Sequence, residues 1–328
     1  MLKYIGRRVL LMIPTLFAIS VVSFVIIQLP PGDWLTSYIA RLSMSGETVD
    51  QSVVDALKHQ YGLGQPVYVQ YLRWMGKLMR GDMGMSFEWN KPVVDLIGPP
   101  MLFTFVISLL ALLIHWIVSF PIGIYSAVRQ YSIGDYVFTA MAFFGAAIPD
   151  FLIALVAMWV IFTATGANIT GLFSPEFREA PWSLAKVIDL LKHALVPVLI
   201  LGLLGSAGLI RTMRAMMLDE LRKPYVVTAR AKGLEESKVI MKYPVRVALN
   251  PFVSTIGWTL PGLISGTTIV SIVLGLQTTG PILLHSLMNQ DMFLAGSFLM
   301  LLSVLTVIGT LLSDILLAWM DPRIRYGD

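Results

Sequence analysis

Six long apolar segments dominate this chain, and each is long enough to cross a lipid bilayer as a helix. A span needs about 20 predominantly apolar residues, and its backbone polar groups must be satisfied inside the helix because lipid offers them no partners. The segments therefore predict an all-α membrane protein with six transmembrane helices. They cover residues 9–29, 101–127, 137–164, 190–210, 252–276 and 294–319.

The composition of the chain indicates the same class. Of its 328 residues 56% are apolar and 13% are charged, and the mean hydropathy is +0.75. Soluble domains carry about a quarter charged residues, so this chain has too little polar surface to stay dispersed in water. The net charge is only +4 and is unevenly distributed, which indicates membrane topology rather than nucleic-acid binding. The chain has no cysteine, which excludes disulfides and thiolate metal sites.

The first apolar run, Val9 to Leu29, predicts a retained helix. A cleaved signal peptide has a shorter apolar region of roughly 7–15 residues, followed by a small-residue cleavage site. We therefore predict four regions along the chain. They are an N-terminal transmembrane helix (1–30), an exterior region of small helices (31–100), a five-helix transmembrane core with a charged loop at 218–247 (101–320), and a C-terminal tail (321–328).

Lysine and arginine residues are distributed unequally between the two sides of the predicted membrane. Fifteen of the 24 lie on the side that holds both termini, and nine of these fall between Arg211 and Arg246. Short cytoplasmic loops carry an excess of these residues in membrane proteins. The distribution predicts that both termini and the 218–247 loop are cytoplasmic, and that the 31–100 region is exterior.

The charged loop between the fourth and fifth spans contains the stretch KPYVVTARAKGLEESKVIMKYP. Pro224 suits the first turn of a helix, and Gly233 suits the left-handed position that ends one. Acidic residues from Glu235 onward suit the start of a second helix. We predict two short helices joined at Gly233, with Pro244 interrupting the second.

The tip of the first short helix is small and basic. Ala229 and Ala231 would permit close approach of another backbone, and cations surround them at Arg222, Lys223, Arg230 and Lys232. An amphipathic loop lying on anionic headgroups is one interpretation. A rigid knob that docks on another protein is the other, and the residues alone leave both open.

The stretch YVVTARAKGL at Tyr225–Leu234, followed by RVALNP at Arg246–Pro251, resembles the coupling loop of bacterial ABC importer permeases of the dipeptide/oligopeptide/nickel family. Val227 stands where the general pattern of such loops has Glu, and Ser271 stands at another usual Glu position. Further motifs of the family recur in order along nearly the whole chain. They are PPGD (30–33), YGLGQPVYVQYLRWMGKLMRGDMGMSF (61–87), PVVDLI (92–97), AIPDF (147–151), LKHALVPVLILGL (191–203), RTMRAMMLDEL (211–221) and DPRIR (321–325).

The resemblance implies a type I ABC importer permease fold in the bacterial inner membrane, with residues 218–247 as the coupling loop and 31–100 as a periplasmic region. The implied partners are a second homologous permease in a heterodimer, two cytoplasmic ATPase subunits, a periplasmic or lipid-anchored solute-binding protein, and membrane lipid. ATP and Mg²⁺ would be used by the ATPase subunits, so this chain would hold no cofactor. Periplasmic aromatic residues such as Trp34, Tyr68, Trp74 and Trp89 would offer area to the binding protein, or alternatively would form an aromatic belt at the membrane interface. The residues implied to contact the ATPases are Tyr225, Thr228, Ala229, Arg230, Ala231, Lys232, Gly233, Leu234 and Glu235.

A few residues inside the predicted spans are candidates for the translocation path. Asp150 falls near the middle of the third span, and a carboxylate there usually faces a cavity or a partner because isolated charge is costly in lipid. We expect that Asp150 and its neighbour Pro149 line the path, or alternatively that Asp150 pairs structurally. Pro261 and Gly262, in the stretch LPGLISG, predict a hinge on that path, and His115 is expected to be a hydrogen-bonded packing residue.

The sequence offers no support for catalysis by this chain. It contains no G-x-x-x-x-G-K-[ST] nucleotide motif and no metal-ligand spacing. The resemblance implies a peptide or related small solute, and an oligosaccharide or nickel importer of the same family is the alternative. A different class, an ATP-independent channel or secondary carrier, is disfavoured because the two long loops break the 3+3 symmetry of many carriers.

Overall fold

The structure is a computed structural model that describes residues 2–29, 32, 34–44, 52, 54–56, 58, 62, 64–250, 252–253, 262 and 267–320. Regular structure in these residues is helical, apart from one isolated antiparallel bridge between Met85 and Pro92. The helices are α1 (Leu2–Gln28), α2 (Trp34–Met44), α3 (Val67–Leu78), α4 (Val93–Val128), α5 (Ile133–Ala147), α6 (Asp150–Thr165), α7 (Leu184–Leu221), α8 (Pro224–Ala231), α9 (Glu236–Lys242), α10 (Pro244–Ala248), α11 (Thr279–Met288) and α12 (Met292–Met320).

Four described helices, α1, α4, α7 and α12, are long and apolar enough to cross a membrane. Much of the apolar surface of α1 is exposed, including Leu10, Ile13 and Phe17, as expected of a helix that faces lipid. The 36 residues of α4 and 38 of α7 extend beyond the predicted spans. Helix α7 continues past its apolar run through RTMRAMMLDEL, which is rich in good helix formers, whereas α4 begins earlier than predicted, at Val93.

The predicted span at 137–164 is two helices, which corrects the sequence prediction. Helices α5 and α6 are bent by 97° relative to each other, at Ile148 and Pro149. Ile148 is extended (φ −94°, ψ 128°), because a residue before proline avoids the helical region and proline has no N–H with which to continue the helix. The described residues thus contain four spans, or five if the bent pair is one. The predicted span at 252–276 lies largely outside the described residues.

The chain divides into two compact units, Met1–Leu102 with Thr278–Leu311 and Phe103–Gln277 with Leu312–Asp328. In the first unit an aromatic core joins α1, α3 and the start of α12. The ring centroid of Phe24 lies 5.3 Å from that of Tyr71 and 6.0 Å from that of Trp74. Gly296 admits the indole, since a Cβ there would lie 3.0 Å from the Trp74 ring.

This core corrects the expectation that the periplasmic tryptophans all offer contact area to a partner. Trp34 and Trp74 are buried, with 5% and 1% of their surface exposed. They stabilise the unit by removing large apolar surface from water. Tyr68 and Trp89 are exposed, and the Trp89 ring centroid lies 4.9 Å from that of His285.

A buried carboxylate holds the loop before α4 to the start of α12. Asp291 Oδ2 accepts a hydrogen bond of 2.5 Å from the Ser86 hydroxyl, and Asp291 Oδ1 accepts one of 3.2 Å from the backbone N–H of Leu294. The second bond caps the first turn of α12. The loop between Ser86 and Pro92 is therefore fixed to a membrane helix that follows it by some 200 residues in sequence.

In the second unit, small residues bring α4 and α7 into close contact. A Cβ on Gly202 would lie 2.6 Å from an Ile114 methyl carbon, and one on Gly123 would lie 2.6 Å from Met213 Cβ. Glycine at such positions lets helix backbones approach, which is the usual basis of helix association in membranes. The contact determines the position of α7, the helix that continues into the charged loop.

A bidentate ion pair joins α5 to α7. Arg214 Nε and Nη2 each donate a hydrogen bond of 2.8 Å to the Asp135 carboxylate, which is buried. The same carboxylate accepts the backbone N–H of Tyr131 at 3.0 Å, in the turn before α5. The pairing was not evident from the sequence, because the partners are 79 residues apart.

We predict that Arg214→Met alone lowers the stability of the detergent-solubilised chain by about 3 kcal/mol, because Asp135 would be left buried without its cation. The Arg214→Met/Asp135→Asn double variant should regain most of this loss, since it removes both charges. Thermal unfolding, monitored by tryptophan fluorescence, measures the change in stability. Lys192→Met, a substitution of an exposed residue on the same helix, is the control. A loss of stability in the double variant as large as in Arg214→Met would contradict the explanation.

Candidate functional site

The charged loop at 218–247, called the elbow from here on, folds as three short helices after the end of α7. Pro224 is the first residue of α8, following Lys223 in the extended conformation (φ −69°, ψ 145°). Helices α8 and α9 lie where the sequence predicts two short helices. Pro244 begins α10, so the interruption expected at this proline is the start of a third helix.

Gly233 makes the turn between α8 and α9. Its φ is +75°, and its N–H donates to the Arg230 carbonyl at 2.9 Å while the N–H of Leu234 donates to the Ala229 carbonyl at 3.4 Å. These two bonds form the Schellman motif that satisfies the last carbonyls of a helix. A residue with a Cβ is strained in this conformation, so the geometry of the elbow requires glycine here.

The elbow has a small hydrophobic core of its own. Val226 and Ala229 of α8 are buried against Val239 of α9, and Tyr243 packs on the cluster. The structure thus corrects the expectation that Ala229 lies at an accessible tip, because its methyl group faces the inside of the elbow. Ala231 is exposed, as expected.

An ion pair closes the elbow across the glycine turn. Arg230 Nη2 donates to Glu236 Oε1 at 2.7 Å, and Arg230 Nε donates to Glu236 Oε2 at 3.0 Å. The hydrogen bond from Arg230 lowers the pKa of Glu236, so the pair contributes at neutral pH and is lost as the pH falls below the usual glutamate range. The sequence interpretation assigned Arg230 to a partner surface and missed this ion pair. The signal that could have indicated it is the pair of opposite charges, Arg230 and Glu236, on either side of the glycine that ends α8.

Further contacts fix the two ends of the elbow. The Tyr225 hydroxyl donates to Glu220 near the end of α7. Partial burial, together with this bond, raises the pKa of Tyr225 to about 12. The hydroxyl therefore stays protonated at neutral pH, and its contribution to stability is lost only as the pH rises through the interval from 10 to about 12.

At the other end, α10 lies against the membrane helices. Val245 and Ala248 form a buried cluster with Met213 and Met217 of α7 and with Ala127 at the end of α4. Burial of this apolar surface stabilises the contact. The elbow is thus joined to α7 both through the chain at Leu221 and through side chains, so a displacement of the elbow displaces α7.

The outer surface of the elbow combines apolar and cationic side chains. Val227, Leu234 and Met241 are 55%, 43% and 61% exposed. Lys232, Glu235 and Thr228 are exposed as well, although Glu235 also receives Lys238 Nζ at 3.2 Å. Apolar side chains exposed outside the spanning helices mark a contact with protein or with the membrane surface.

The candidate path residue Asp150 lies at the bend in the broken span rather than in the middle of a continuous helix. It is the first residue of α6, where the helix dipole favours an acidic side chain, and it is partly exposed beside an exposed Pro149. Asp150 is within electrostatic reach of His115 on α4. His115 itself is buried, and its Nε2 lies 2.8 Å from the Leu201 carbonyl oxygen, as expected of a packing residue.

The remaining candidates are only partly described. Pro261 lies outside the described residues, while Gly262 is described and exposed, with open space where a Cβ would stand. The buried hydroxyl of Ser271 has no hydrogen-bond partner in the described part of the chain. Among the described residues no group of three His, Asp or Glu side chains is placed to hold a metal ion.

We predict that Gly233→Ala speeds amide hydrogen exchange in residues 234–242 by roughly 5- to 30-fold, because a left-handed alanine costs about 1–2 kcal/mol. Gly208→Ala is the matched control, since both positions have open space for a methyl group and only Gly233 has positive φ. Hydrogen–deuterium exchange with mass spectrometry measures the rates. Equal amide exchange rates in residues 234–242 of the two variants would mean that the glycine turn does not stabilise the elbow.

Comparisons with known proteins cover nearly the whole chain. Residues 119–326 match the family described as binding-protein-dependent transport system inner membrane component, and residues 1–109 match the corresponding N-terminal family. The first match includes the elbow, Asp150 and Ser271, which lie in the second unit.

Three relatives are similar to this chain over nearly its whole length. The oligopeptide transport system permease protein AppB of Bacillus subtilis (strain 168) is 34% identical, over 99% of this chain and 100% of its own length. The glutathione transport system permease protein GsiC of Escherichia coli O6:H1 is 31% identical, over 99% and 100% of the two chains. The oligopeptide transport system permease protein OppB of Haemophilus influenzae is 30% identical, over the same shares.

The family matches and the relatives agree with the apolar helices and with the motifs found along the sequence. They describe a multi-pass protein of the inner membrane that serves as a transport component rather than as a catalytic enzyme. This chain therefore belongs to the family of binding-protein-dependent transport system inner membrane components, as a membrane permease of an importer.

Proposed function

We propose that this permease is one of two membrane subunits of an ATP-driven ABC importer for peptides or related small solutes. The observation that carries the proposal is similarity along the entire chain to permeases named for oligopeptide and glutathione transport. An oligosaccharide or nickel importer of the same family is the alternative. In this proposal the chain forms half of the translocation pathway and leaves ATP hydrolysis to other subunits.

In the proposed mechanism the elbow transmits force. Two cytoplasmic ATPase subunits bind ATP and Mg²⁺, and each receives the elbow of one permease in a surface cleft. A lever must be stiff, and the elbow has its own core, a glycine turn closed by Arg230–Glu236, and the α10 contact with α7. Closure of the ATPases would therefore shift α7, which is packed through glycines on α4.

The internal core of the elbow favours docking on protein over lying on lipid headgroups. A surface-lying amphipathic helix buries its apolar face in the bilayer. In α8, by contrast, Val226 and Ala229 are buried within the chain, and Val227 on another face is exposed. The exposed apolar side chains and the basic residues beside them would face the ATPase.

The proposed orientation places both termini and the elbow in the cytoplasm, following the excess of lysine and arginine on that side. The 31–100 region would then be periplasmic and would meet the solute-binding protein. Tyr68 and Trp89 are the exposed aromatic side chains that suit this contact. The second permease would be a homologous subunit in a heterodimer.

We predict that Ala231→Cys and Lys232→Cys each crosslink to an ATPase subunit carrying an engineered cysteine in its cleft. The natural chain has no cysteine, so each variant presents a single thiol. Val239→Cys is the control, because this side chain is fully buried inside the elbow. Crosslinking is assayed in membranes with and without ATP, alongside peptide uptake.

Efficient ATP-driven uptake by the two exposed-site variants without any crosslink would contradict the coupling role of the elbow. Uptake by this chain alone in liposomes, without ATPase subunits, would instead support a channel or secondary carrier. The identity of the solute is tested separately, by calorimetry on the binding protein encoded beside this chain.

We also propose that Asp150 lines the translocation path and favours cationic solutes. Its position at an irregular break between two helices supports this role, because broken helices at membrane depth are tolerated where they line a cavity or are buried in protein. Its partial exposure gives a solute access to the carboxylate.

We predict that Asp150→Asn raises the KM for uptake of a lysine-containing dipeptide about fivefold, as expected for loss of a modest charge interaction. Uptake of a neutral dipeptide should stay unchanged, because it makes no such interaction. Asp95→Asn, at the exposed start of α4, is the control. An equal loss for both dipeptides would indicate that Asp150 supports the structure rather than selecting the solute.

A further inference from the structure

A cavity of about 620 Å³ lies in the first unit, between α3 and the start of α12. Its volume is within the range of pockets that bind small molecules. One wall is α3, and the other consists of residues from the loop before α4 and from the first turn of α12. The residues that line it include Arg73, Gly76, Lys77, Phe87, Met292 and Phe293.

Three cations gather along the cavity. Arg73 and Lys77 are four residues apart and share one side of α3, and Arg80 lies in the turn that follows the helix; all three line the cavity. Among the described residues no acidic side chain lines the cavity, and none of the three cations forms an ion pair with a carboxylate there. The nearby Asp82 carboxylate accepts the N–H of Gly84 at 2.8 Å. The cavity thus carries uncompensated positive charge.

The opposite wall is apolar and aromatic. Phe87, Met292 and Phe293 line it, and Lys77 Nζ lies 5.2 Å from the centroid of the Phe293 ring. Gly84 in the loop before α4 makes room for this ring, since a Cβ on Gly84 would lie only 2.5 Å from Phe293 Cδ1. An occupant of this cavity meets positive charge on one side and apolar surface on the other.

The cavity lies at the level where membrane spans begin and end. Met292 and Phe293 are the first residues of the last candidate span, and the first candidate span ends at Gln28. Gln28 Nε2 lies 3.3 Å from Gln70 Oε1 on α3 and 3.4 Å from Met292 Sδ. The helix α3, which carries Arg73 and Lys77, and the turn after it, which carries Arg80, are therefore placed at the boundary between lipid and water.

We propose that this cavity binds the headgroup of an anionic phospholipid. The phosphate would contact Arg73, Lys77 and Arg80, and the glycerol and upper acyl chains would lie along the apolar wall. A lipid is favoured over a soluble anion because the cavity joins its charged side to apolar surface at membrane depth. A headgroup with no net charge would leave the cations uncompensated, so phosphatidylglycerol should bind better than phosphatidylethanolamine.

The bound lipid would stabilise α3 against α1 and α12. It would place a negative charge among three cations that otherwise repel one another, two of them on α3 and one in the turn after it. This role concerns the first unit alone and does not depend on the identity of the imported solute or on the coupling role of the elbow.

The test is native mass spectrometry of the full chain released from nanodiscs that contain equal amounts of phosphatidylglycerol and phosphatidylethanolamine. The wild type should retain phosphatidylglycerol preferentially. The Arg73→Gln/Lys77→Gln/Arg80→Gln variant should lose at least about tenfold of this preference, because each cation near the surface contributes roughly fivefold. Lys91→Gln/Arg178→Gln/Lys192→Gln, with three exposed cations outside the cavity, is the matched control and should keep it.

The conservative variant Arg73→Lys/Arg80→Lys preserves the charges and should retain the lipid, which keeps the proposal testable if the triple glutamine variant folds poorly. An unchanged lipid ratio in the triple glutamine variant would overturn the proposal. Displacement of the lipid by millimolar inorganic phosphate would also overturn it, by showing a site for a free anion. The proposal would likewise be overturned if the triple glutamine variant kept its lipid but no longer bound an acidic partner protein, since the cavity would then be a site for protein.

Discussion

The close contact between α4 and α7 is the interaction on which the second unit depends. Hydrocarbon offers apolar helices no reason to leave lipid for one another, so association requires backbones that can approach. Gly123, Gly202 and Gly205 supply that approach, and at Gly205 the imidazole of His115 fills the space so closely that a Cβ would lie 2.0 Å from its Nε2. The His115 bond to the Leu201 carbonyl then fixes the register of the two helices.

The position of α7 in turn sets the position of the elbow. Helix α7 is unbroken from the Asp135 ion pair at Arg214 to its end at Leu221, and α8, the first short helix of the elbow, begins three residues later at Pro224. Because α10 returns to pack on α7 at Met213 and Met217, the elbow is held at both ends. A short helix with this support can act as one body with the membrane helix, which a flexible loop of the same length could not do.

Two buried carboxylates in this chain cannot be solvated by lipid, and each has hydrogen-bond partners within the chain. Asp135 has Arg214, and Asp291 has Ser86 and two backbone N–H groups. These carboxylates are structural, because their hydrogen bonds are directed within the chain. The side chains of Asp150, Arg73, Lys77 and Arg80 are at least partly exposed instead, and so they are the groups available to a solute or a lipid.

Much of the fold and part of the site could be predicted from the sequence. Apolar run length identified α1, α4, α7 and α12, and the proline and glycine positions located α8 and α9, because both signals are local in the chain. Pro149 interrupts the helix by a local rule, but the length of the apolar run predicted one continuous span and did not indicate the 97° angle between α5 and α6.

Residue types and short-range propensities in the chain itself were sufficient to establish the class, most helix positions and the glycine turn of the elbow. Three-dimensional packing settled which side chains meet. It turned Ala229 inward, paired Arg230 with Glu236, joined Asp135 to Arg214 and brought Lys77 over the ring of Phe293. The physical reason is that a contact between residues far apart in sequence depends on the faces that neighbouring helices present, and no local propensity encodes those faces.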